Sequence, residues 1–281
     1  IMPSLVGSEM CIRDRSYGYE IIESASGYLA CGDTGKGKLP NEQLLVDYIL
    51  KYIAAEKDMQ GIKVLVTAGP TMEAIDPVRF ISNHSTGKMG YAIARQAMLR
   101  GADVTLVTGK VAITPPEFVT VVPVTSAQDM YEAVTAASAD QDIIIKAAAV
   151  ADYKPAEVSD NKIKKSDADM SIPLTRTKDI LAFLGMQREE ARKTDGDSRL
   201  ARQIICGFSM ETQNLLENSR KKLEKKKIDI VAANNLKTAG AGFGTDTNRV
   251  TIISEKEEKN LELMSKEEVA DEILNYILEF K

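Results

Sequence analysis

The sequence predicts an α/β protein with a doubly wound, mostly parallel sheet flanked by helices. Three observations predict it. After Gly61, short apolar runs alternate with stretches of helical period. Most runs are continuously apolar, as expected of strands covered on both faces. The segments that follow several of them are rich in small and polar residues, which suits the ligand-binding carboxyl edge of such a sheet.

Taken in order, the first segment is atypical. Residues 1–15 include "SLVGSEMCIRDR", which has neither a helical nor a strand period and resembles translated sequencing-adapter sequence. They are expected to form a foreign or disordered leader. Residues 17–39 are Gly-rich and irregular. Asn41 is suited to cap a helix in which Leu45, Tyr48, Ile49, Tyr52 and Ile53 recur at helical spacing. Residues 54–61 are polar and read as a linker, with a domain boundary near Gln60. Beyond it, strands are expected at 63–67, 103–107, 120–122, 142–147, 203–207 and 229–232. Helices are expected at 90–99, 127–137, 179–192 and 212–226, and a further strand at 249–256. The final helix opens on a capping box, Ser265 with Glu268, and aligns Val269, Ile273, Leu274 and Ile277 on one face.

Composition narrows the function. The chain has 281 residues and a net charge of −5, which argues against a general nucleic-acid binder. No apolar run approaches the ~18 residues of a membrane span, and no secretory signal is visible. Cys11, Cys31 and Cys206 form no C-x-x-C pair, so a reducing, cytoplasmic setting without structural zinc is expected. His84 is the single histidine, which leaves little for a His-based triad or a His-rich metal site.

Three clusters carry polar chemistry. "RFISNHSTGKMG" (79–90) follows the first strand and enters a helix, and it is neither G-x-G-x-x-G nor a Walker A motif. Its small residues, Asn83, Ser85, Thr86 and the cation Arg79 suit an anion at a helix N-terminus; a capped helix start with Asn83 in a turn fits equally well. In "IIIKAAAVADYKPAEVSDNKIKK" (143–165), small alanines would let a planar ring approach the backbone. Asp152 could accept from an amine or hydroxyl or help hold a metal, and Lys162, Lys164 and Lys165 form either a lid over phosphates or a solvated basic loop. In the third cluster Lys222 and Lys226 share a helix face, facing either a polyphosphate or solvent, and Asn234 and Asn235 end a strand.

Together, "TAGPTMEAIDPVRFISNHSTGKMG", "AAAVADY", "NKIKK", "GFSMET" and "DIVAAN" resemble the phosphopantothenate–cysteine ligase domain of the bacterial bifunctional coenzyme A biosynthesis proteins, over residues 61–281. Residues 16–60, with "SGYLACGDTGKGKLP", resemble the substrate clamp and last helix of the flavin-dependent decarboxylase half. The resemblance therefore implies a truncated bifunctional protein, with a complete Rossmann-like ligase domain behind a decarboxylase remnant. FMN belongs to the missing part, and Cys31 is the remnant's proton donor, inactive here.

For the ligase half, the resemblance implies CTP-dependent joining of 4′-phosphopantothenate to cysteine through an acyl-cytidylate, with Mg²⁺ whose ligands it does not identify. It assigns Asn83 to the acyl-cytidylate, Arg79 to the substrate phosphate or carboxylate, and Lys162 to cytidylyl transfer. Ala147, Ala148, Asp152, Phe208, Lys222 and Lys226 match nucleotide contacts. Thr177, Lys178, Asp179 and Ile180 ("TKDI") stand where the family has "NPDI", and Lys146 adds a cation beside the nucleotide. A homodimer is implied, with no membrane or nucleic-acid partner. A nucleotide-binding fragment without turnover is the alternative. An NAD(P)-dependent reductase would need a G-x-G-x-x-G loop and a Tyr-x-x-x-Lys pair in a suitable place, which the sequence lacks.

Overall fold

The computed structural model describes residues 9–165, 169–211, 215–235, 242 and 244–280. The chain divides into two compact units, Ile1–Glu56 and Lys57–Lys281, a division just N-terminal to Gln60.

The first unit contains α1 (Glu9–Ser16), β1 (Ala25–Tyr28), β2 (Thr34–Lys38) and α2 (Glu42–Ile53). Three of these differ from expectation, the helix α1 and the two strands. Residues 9–16 are helical although they show no helical period, and the irregular Gly-rich segment is an antiparallel hairpin. Its turn closes through Leu29 N–H to the Asp33 carbonyl at 2.8 Å, with Gly32 at φ 90°, a left-handed conformation that glycine adopts without a Cβ penalty. Asn41 caps α2 as expected, its Oδ1 accepting from the Leu44 N–H at 2.8 Å.

In chain order the second unit comprises β3 (Lys63–Ala68), β4 (Met72–Ala74), β5 (Phe80–Ser82), α3 (Lys88–Leu99), β6 (Asp103–Thr108), β7 (Thr120–Pro123) and α4 (Ala127–Ser138). It continues with β8 (Ile143–Lys146), β9 (Tyr153–Pro155), β10 (Leu174–Arg176), α5 (Ile180–Thr194), α6 (Arg199–Arg202), β11 (Ile204–Glu211), α7 (Leu215–Lys226) and β12 (Ile230–Asn235). It ends with β13 (Thr247–Asn248), β14 (Val250–Ser254), β15 (Glu258–Asn260), β16 (Met264–Ser265) and α8 (Lys266–Phe280).

Among the described residues, eight strands form one sheet in the order β15-β14-β12-β11-β8-β3-β6-β7. From β12 to β7 every pairing is parallel; β14 and β15 add antiparallel at one edge. β3 and β8 are the central neighbours, and the chain works outward from each in opposite directions, as in a doubly wound fold. Val64–Val66 and Ile143–Ile145 are fully buried. Leu65, Ile144, Ile205 and Val231 belong to a core shared with Met130 and Val134 of α4, Leu181 and Leu184 of α5 and Leu223 of α7. Strand alternation turns Val64, Val66, Ile143 and Ile145 to the other face, where α3 packs on β3, β6 and α8. The capping box of α8 forms both ways, Glu268 N–H to Ser265 Oγ at 3.1 Å and Ser265 N–H to Glu268 Oε2 at 2.8 Å.

The expected strands and helices of this unit are present, with shifted ends. β11 runs on to Glu211, where a helix had been expected to follow Phe208, because Phe208 to Glu211 stay in parallel register with Ala232 to Asn235. β12 extends to Asn235 for the same reason. Residues 212–214 of the helix expected at 212–226 lie outside the described residues. The pairs β4–β5, β9–β10 and β13–β16 were not legible, since two or three residues carry no measurable period. Among the described residues no helix is long and apolar enough to cross a membrane.

One close approach fixes α3 on the sheet. A Cβ on Gly90 would lie 2.6 Å from Ala68 Cβ and 3.0 Å from the Thr67 carbonyl oxygen. Gly90→Ala should therefore destabilise the protein by about 1–3 kcal/mol in urea unfolding, against the ~1 kcal/mol that helix propensity alone would add. An unchanged or raised midpoint would mean that α3 can shift to accept the methyl.

Candidate active site

The crevice at the switch point is built by the exits of β3 and β8. After Ala68, Gly69 takes φ 73°, and Pro70 bridges to Ala149 in parallel fashion. Two fully buried threonines tie the exits together. Thr67 Oγ1 accepts from the Ala148 N–H at 3.1 Å, and Thr71 Oγ1 from the Ala151 N–H at 3.0 Å. The Ala149 carbonyl accepts the Thr71 N–H at 3.2 Å and Asn83 Nδ2 at 3.0 Å. Thr177 extends the tie, donating through Oγ1 to the Ala151 carbonyl at 2.6 Å and through N–H to that of Asp152 at 3.0 Å.

A cleft of two lobes opens above these exits. The first, of about 400 Å³, is lined by Asn83, Ser85, Thr86 and Lys88 at the mouth of α3, by residues 146–150 and Asp152, by Phe208, Met210 and Lys222, and by Asn234, Asn248 and Lys266. The second, of about 480 Å³, is lined by Tyr153, residues 176–181 and Lys226. Lys146, Val150, Asp152 and Lys222 line both, so the lobes meet along these four residues.

The charge of the cleft is opposite in sign to that of the chain. In the first lobe Lys88, Lys146, Lys222 and Lys266 face a single carboxylate, Asp152. In the second, Lys146, Arg176, Lys178, Lys222 and Lys226 face Asp152 and Asp179. An anion is the ligand such a cleft selects. Most of these cations are held in place. Lys222 donates to the Phe208 carbonyl at 2.6 Å, and Lys88 pairs with Asp246 at 2.6 Å. Lys226 pairs with Asp179, which also caps α5 by accepting from the Ala182 N–H at 3.0 Å. Burial raises the Asp179 carboxyl, but Lys226 and that N–H outweigh it and hold it below its ordinary value. Lys178 lies 4.7 Å over the Tyr131 ring. Lys266 is buried and donates to the carbonyls of Gly242 and Thr245; burial first, and then Lys88, pull its ammonium below its usual range. Asn234 is buried in the first lobe, and its Oδ1 has no partner among the described residues.

Of the residues singled out in the sequence, Asn83, Ala147, Ala148, Asp152, Phe208 and Lys222 share the first lobe. Asp152, Thr177, Lys178, Asp179, Ile180, Lys222 and Lys226 share the second. Arg79 and Lys162 are outside both linings. Arg79 pairs with buried Asp76, through Nε at 2.9 Å, and donates to the Ile163 carbonyl at 2.9 Å. Asp76 accepts from the Ile163 N–H at 3.2 Å, and Arg79 foremost holds its carboxyl well below the ordinary range. The pair thus anchors the loop that carries the exposed Lys162. His84 is exposed. Cys31 is exposed at the β1–β2 turn of the first unit. Sequence reasoning did not single out Lys266 or Arg176 and assigned Lys88 to no ligand. Among the described residues no group of three or more His, Cys, Asp or Glu side chains is gathered for a metal. Asp152, which lines both lobes, is a carboxylate that could share a divalent ion with ligand phosphates.

Residues 59–280 match the family model of the DNA/pantothenate metabolism flavoprotein C-terminal domain. Over 264 residues the chain is 46% identical to the coenzyme A biosynthesis bifunctional protein CoaBC of Bacillus subtilis (strain 168), covering 92% of this chain and 62% of the relative. It is 42% identical over 270 residues to a cysteine/cysteine sulfinic acid decarboxylase from an unknown prokaryotic organism, covering 94% and 72%. A crystal structure of the C-terminal domain of a CoaBC protein superposes with a TM-score of 0.63 at 42% identity, over 79% of this chain and 96% of that one. The chain thus spans less than two thirds of the length of the bifunctional relative. It belongs to the family of the DNA/pantothenate metabolism flavoprotein C-terminal domain.

Proposed function

We propose that the chain is a CTP-dependent phosphopantothenate–cysteine ligase of coenzyme A biosynthesis. The observation that carries the reading is the joined, cation-rich cleft at the switch point, with Asn83 beside one lobe and residues 177–180 beside the other. The names of the bifunctional relatives support the same pathway.

In this reading the nucleoside end of CTP lies against residues 177–180, and its phosphates meet Lys222 and Lys226. The phosphopantothenate carboxylate attacks the α-phosphorus; a P–O bond forms and pyrophosphate leaves. Lys162, on its anchored loop, offsets the charge that develops on the phosphoryl oxygens. Ala147, Ala148 and Phe208 keep water from the acyl-cytidylate, and Asn83 orients its acyl group. The cysteine amine then attacks the acyl carbon, losing a proton, and CMP leaves with the former carboxylate oxygen. Mg²⁺, when bound, supplies charge neutralisation on the triphosphate. Arg79 acts through the loop it anchors, which departs from the direct substrate contact implied by the resemblance. Decarboxylation with FMN belongs to the other half of the bifunctional relatives, and no residue of this cleft is assigned to it. A homodimer in the cytoplasm is part of the same proposal, the former testable by light scattering.

The deciding experiment is pyrophosphate release with each component withheld in turn. Release that requires both CTP and 4′-phosphopantothenate is expected. CTP binding without release would leave a nucleotide-binding module, and carbon dioxide release from cysteine or its sulfinate without CTP would favour the chemistry of the decarboxylase relative. Asn83→Asp should release pyrophosphate once per site and form no amide; wild-type turnover would reduce Asn83 to a loop tie. Lys162→Gln should slow pyrophosphate release by ~100-fold, with Lys164→Gln and Lys165→Gln milder. Equal losses from all three would indicate a generic basic patch. Cys31→Ser should leave ligation unchanged, and a slowed ligation would bring the first unit into the reaction.

A further inference from the structure

Lys146 is placed unlike the other cations of the cleft. It is the last residue of β8, in parallel register with Thr67 of β3 on one side and Gly207 of β11 on the other. Pairing on both edges fixes its backbone at the centre of the sheet. Its side chain is half-buried and lines both lobes. Among the described residues it makes no hydrogen bond and no ion pair, whereas Lys88, Lys222, Lys226 and Lys266 each have a protein acceptor. Partial burial of an ammonium without a partner is unfavourable, and a ligand anion that supplies the missing acceptors removes that cost.

We propose that Lys146 is a specificity-determining anion site: it holds a phosphoryl group lying across the junction of the two lobes. The proposal deepens the nucleotide reading above and rests on it for the identity of the ligand. The position suits this role because the lobes meet there, so a triphosphate entering from residues 177–180 toward Asn83 must cross it.

The surrounding charges make the site responsive to protons. Asp152 of the adjoining loop and Asp179 at the mouth of α5 attract the ammonium, while Lys222 and Lys226 of α7 repel it. Arg176 and Lys178 in the second lobe, and Lys88 and Lys266 in the first, add to the positive field. Burial first, and Lys222 next, bring the Lys146 ammonium down to about 8. Its charge is therefore largely present at pH 7 in the free protein, half lost near pH 8 and mostly gone by pH 9. Phosphate groups, whose second ionisation has its midpoint at about pH 6, are already mostly ionised at pH 7 and gain little charge by pH 9.

The test is calorimetric titration of the full chain with CTP and Mg²⁺, and separately with inorganic tripolyphosphate, at pH 7 and pH 9. Wild-type should bind both about tenfold more weakly at pH 9, the loss expected one unit above the titration point of the free amine. Lys146→Met should bind weakly at both pH values. Lys146→Arg, which keeps its charge, should bind with little pH dependence. Thermal melts check that each variant is folded, and the arginine variant decides the matter if the methionine variant is not. Equal affinities and pH profiles for wild-type and Lys146→Met, or an arginine variant that weakens with pH as wild-type does, would overturn the proposal while leaving CTP as ligand. Lys146-dependent binding of tripolyphosphate with no binding of CTP would support the phosphoryl site and overturn the nucleotide reading. Binding of neither probe by wild-type would overturn both.

Discussion

Two buried hydroxyls, Thr67 and Thr71, hold the exit of β8 against the exit of β3. The cleft depends on this tie. At a switch point the chain leaves neighbouring strands in opposite directions, and the sheet ladder no longer satisfies the backbone there. Thr67 and Thr71 accept from the Ala148 and Ala151 N–H groups, and the Ala149 carbonyl accepts from Thr71 N–H and Asn83. The alanine segment is thereby fixed in an open course, with Lys146 at its start and Asp152 beyond its end. Gly90, in contact with Ala68, lets the mouth of α3 come down onto the same edge. A bulkier residue at either place would move the donors of one wall relative to the other.

The electrostatics follow from where charge is spent. The chain carries a net charge of −5, yet both lobes have more cations than carboxylates. Several of those cations are themselves anchored: Lys222 by a carbonyl, Lys226 by the cap of α5, Lys88 by Asp246. Anchored cations are preorganised, so little reorganisation is needed when an anion arrives. Lys162 differs in being exposed on a loop that Arg79 and Asp76 fasten at Ile163. An exposed charge on an anchored loop is compatible with the lid role proposed for Lys162.

The layered fold was legible in the sequence because continuous apolar runs such as "KVLV" and "IIIK" and the helical spacing of α8 are strong periodic signals. The extension of β11 beyond Phe208 was not, since cross-strand register with β12 decides it rather than local period. Asn83 and Asp152 could be placed at one edge because each stands at an element end, whereas Lys222 was placed by the helix face it shares with Lys226 and by the resemblance. Lys266 could not: behind a capping serine it reads as an ordinary exposed helix start, and its burial against the carbonyls of Gly242 and Thr245 is a tertiary contact with no local signal. Arg79 was legible as a cation near the site, but its bond to the Ile163 carbonyl depends on how two distant loops meet.

The central claim is that the cleft activates a carboxylate as its cytidylate before the amine attacks. Oxygen transfer tests it most directly. With 4′-phosphopantothenate labelled by ¹⁸O in both carboxylate oxygens, CTP, Mg²⁺ and cysteine, the account predicts that the CMP released during ligation carries one ¹⁸O atom. Amide formation with unlabelled CMP, or with the nucleotide released only as CDP, would contradict it.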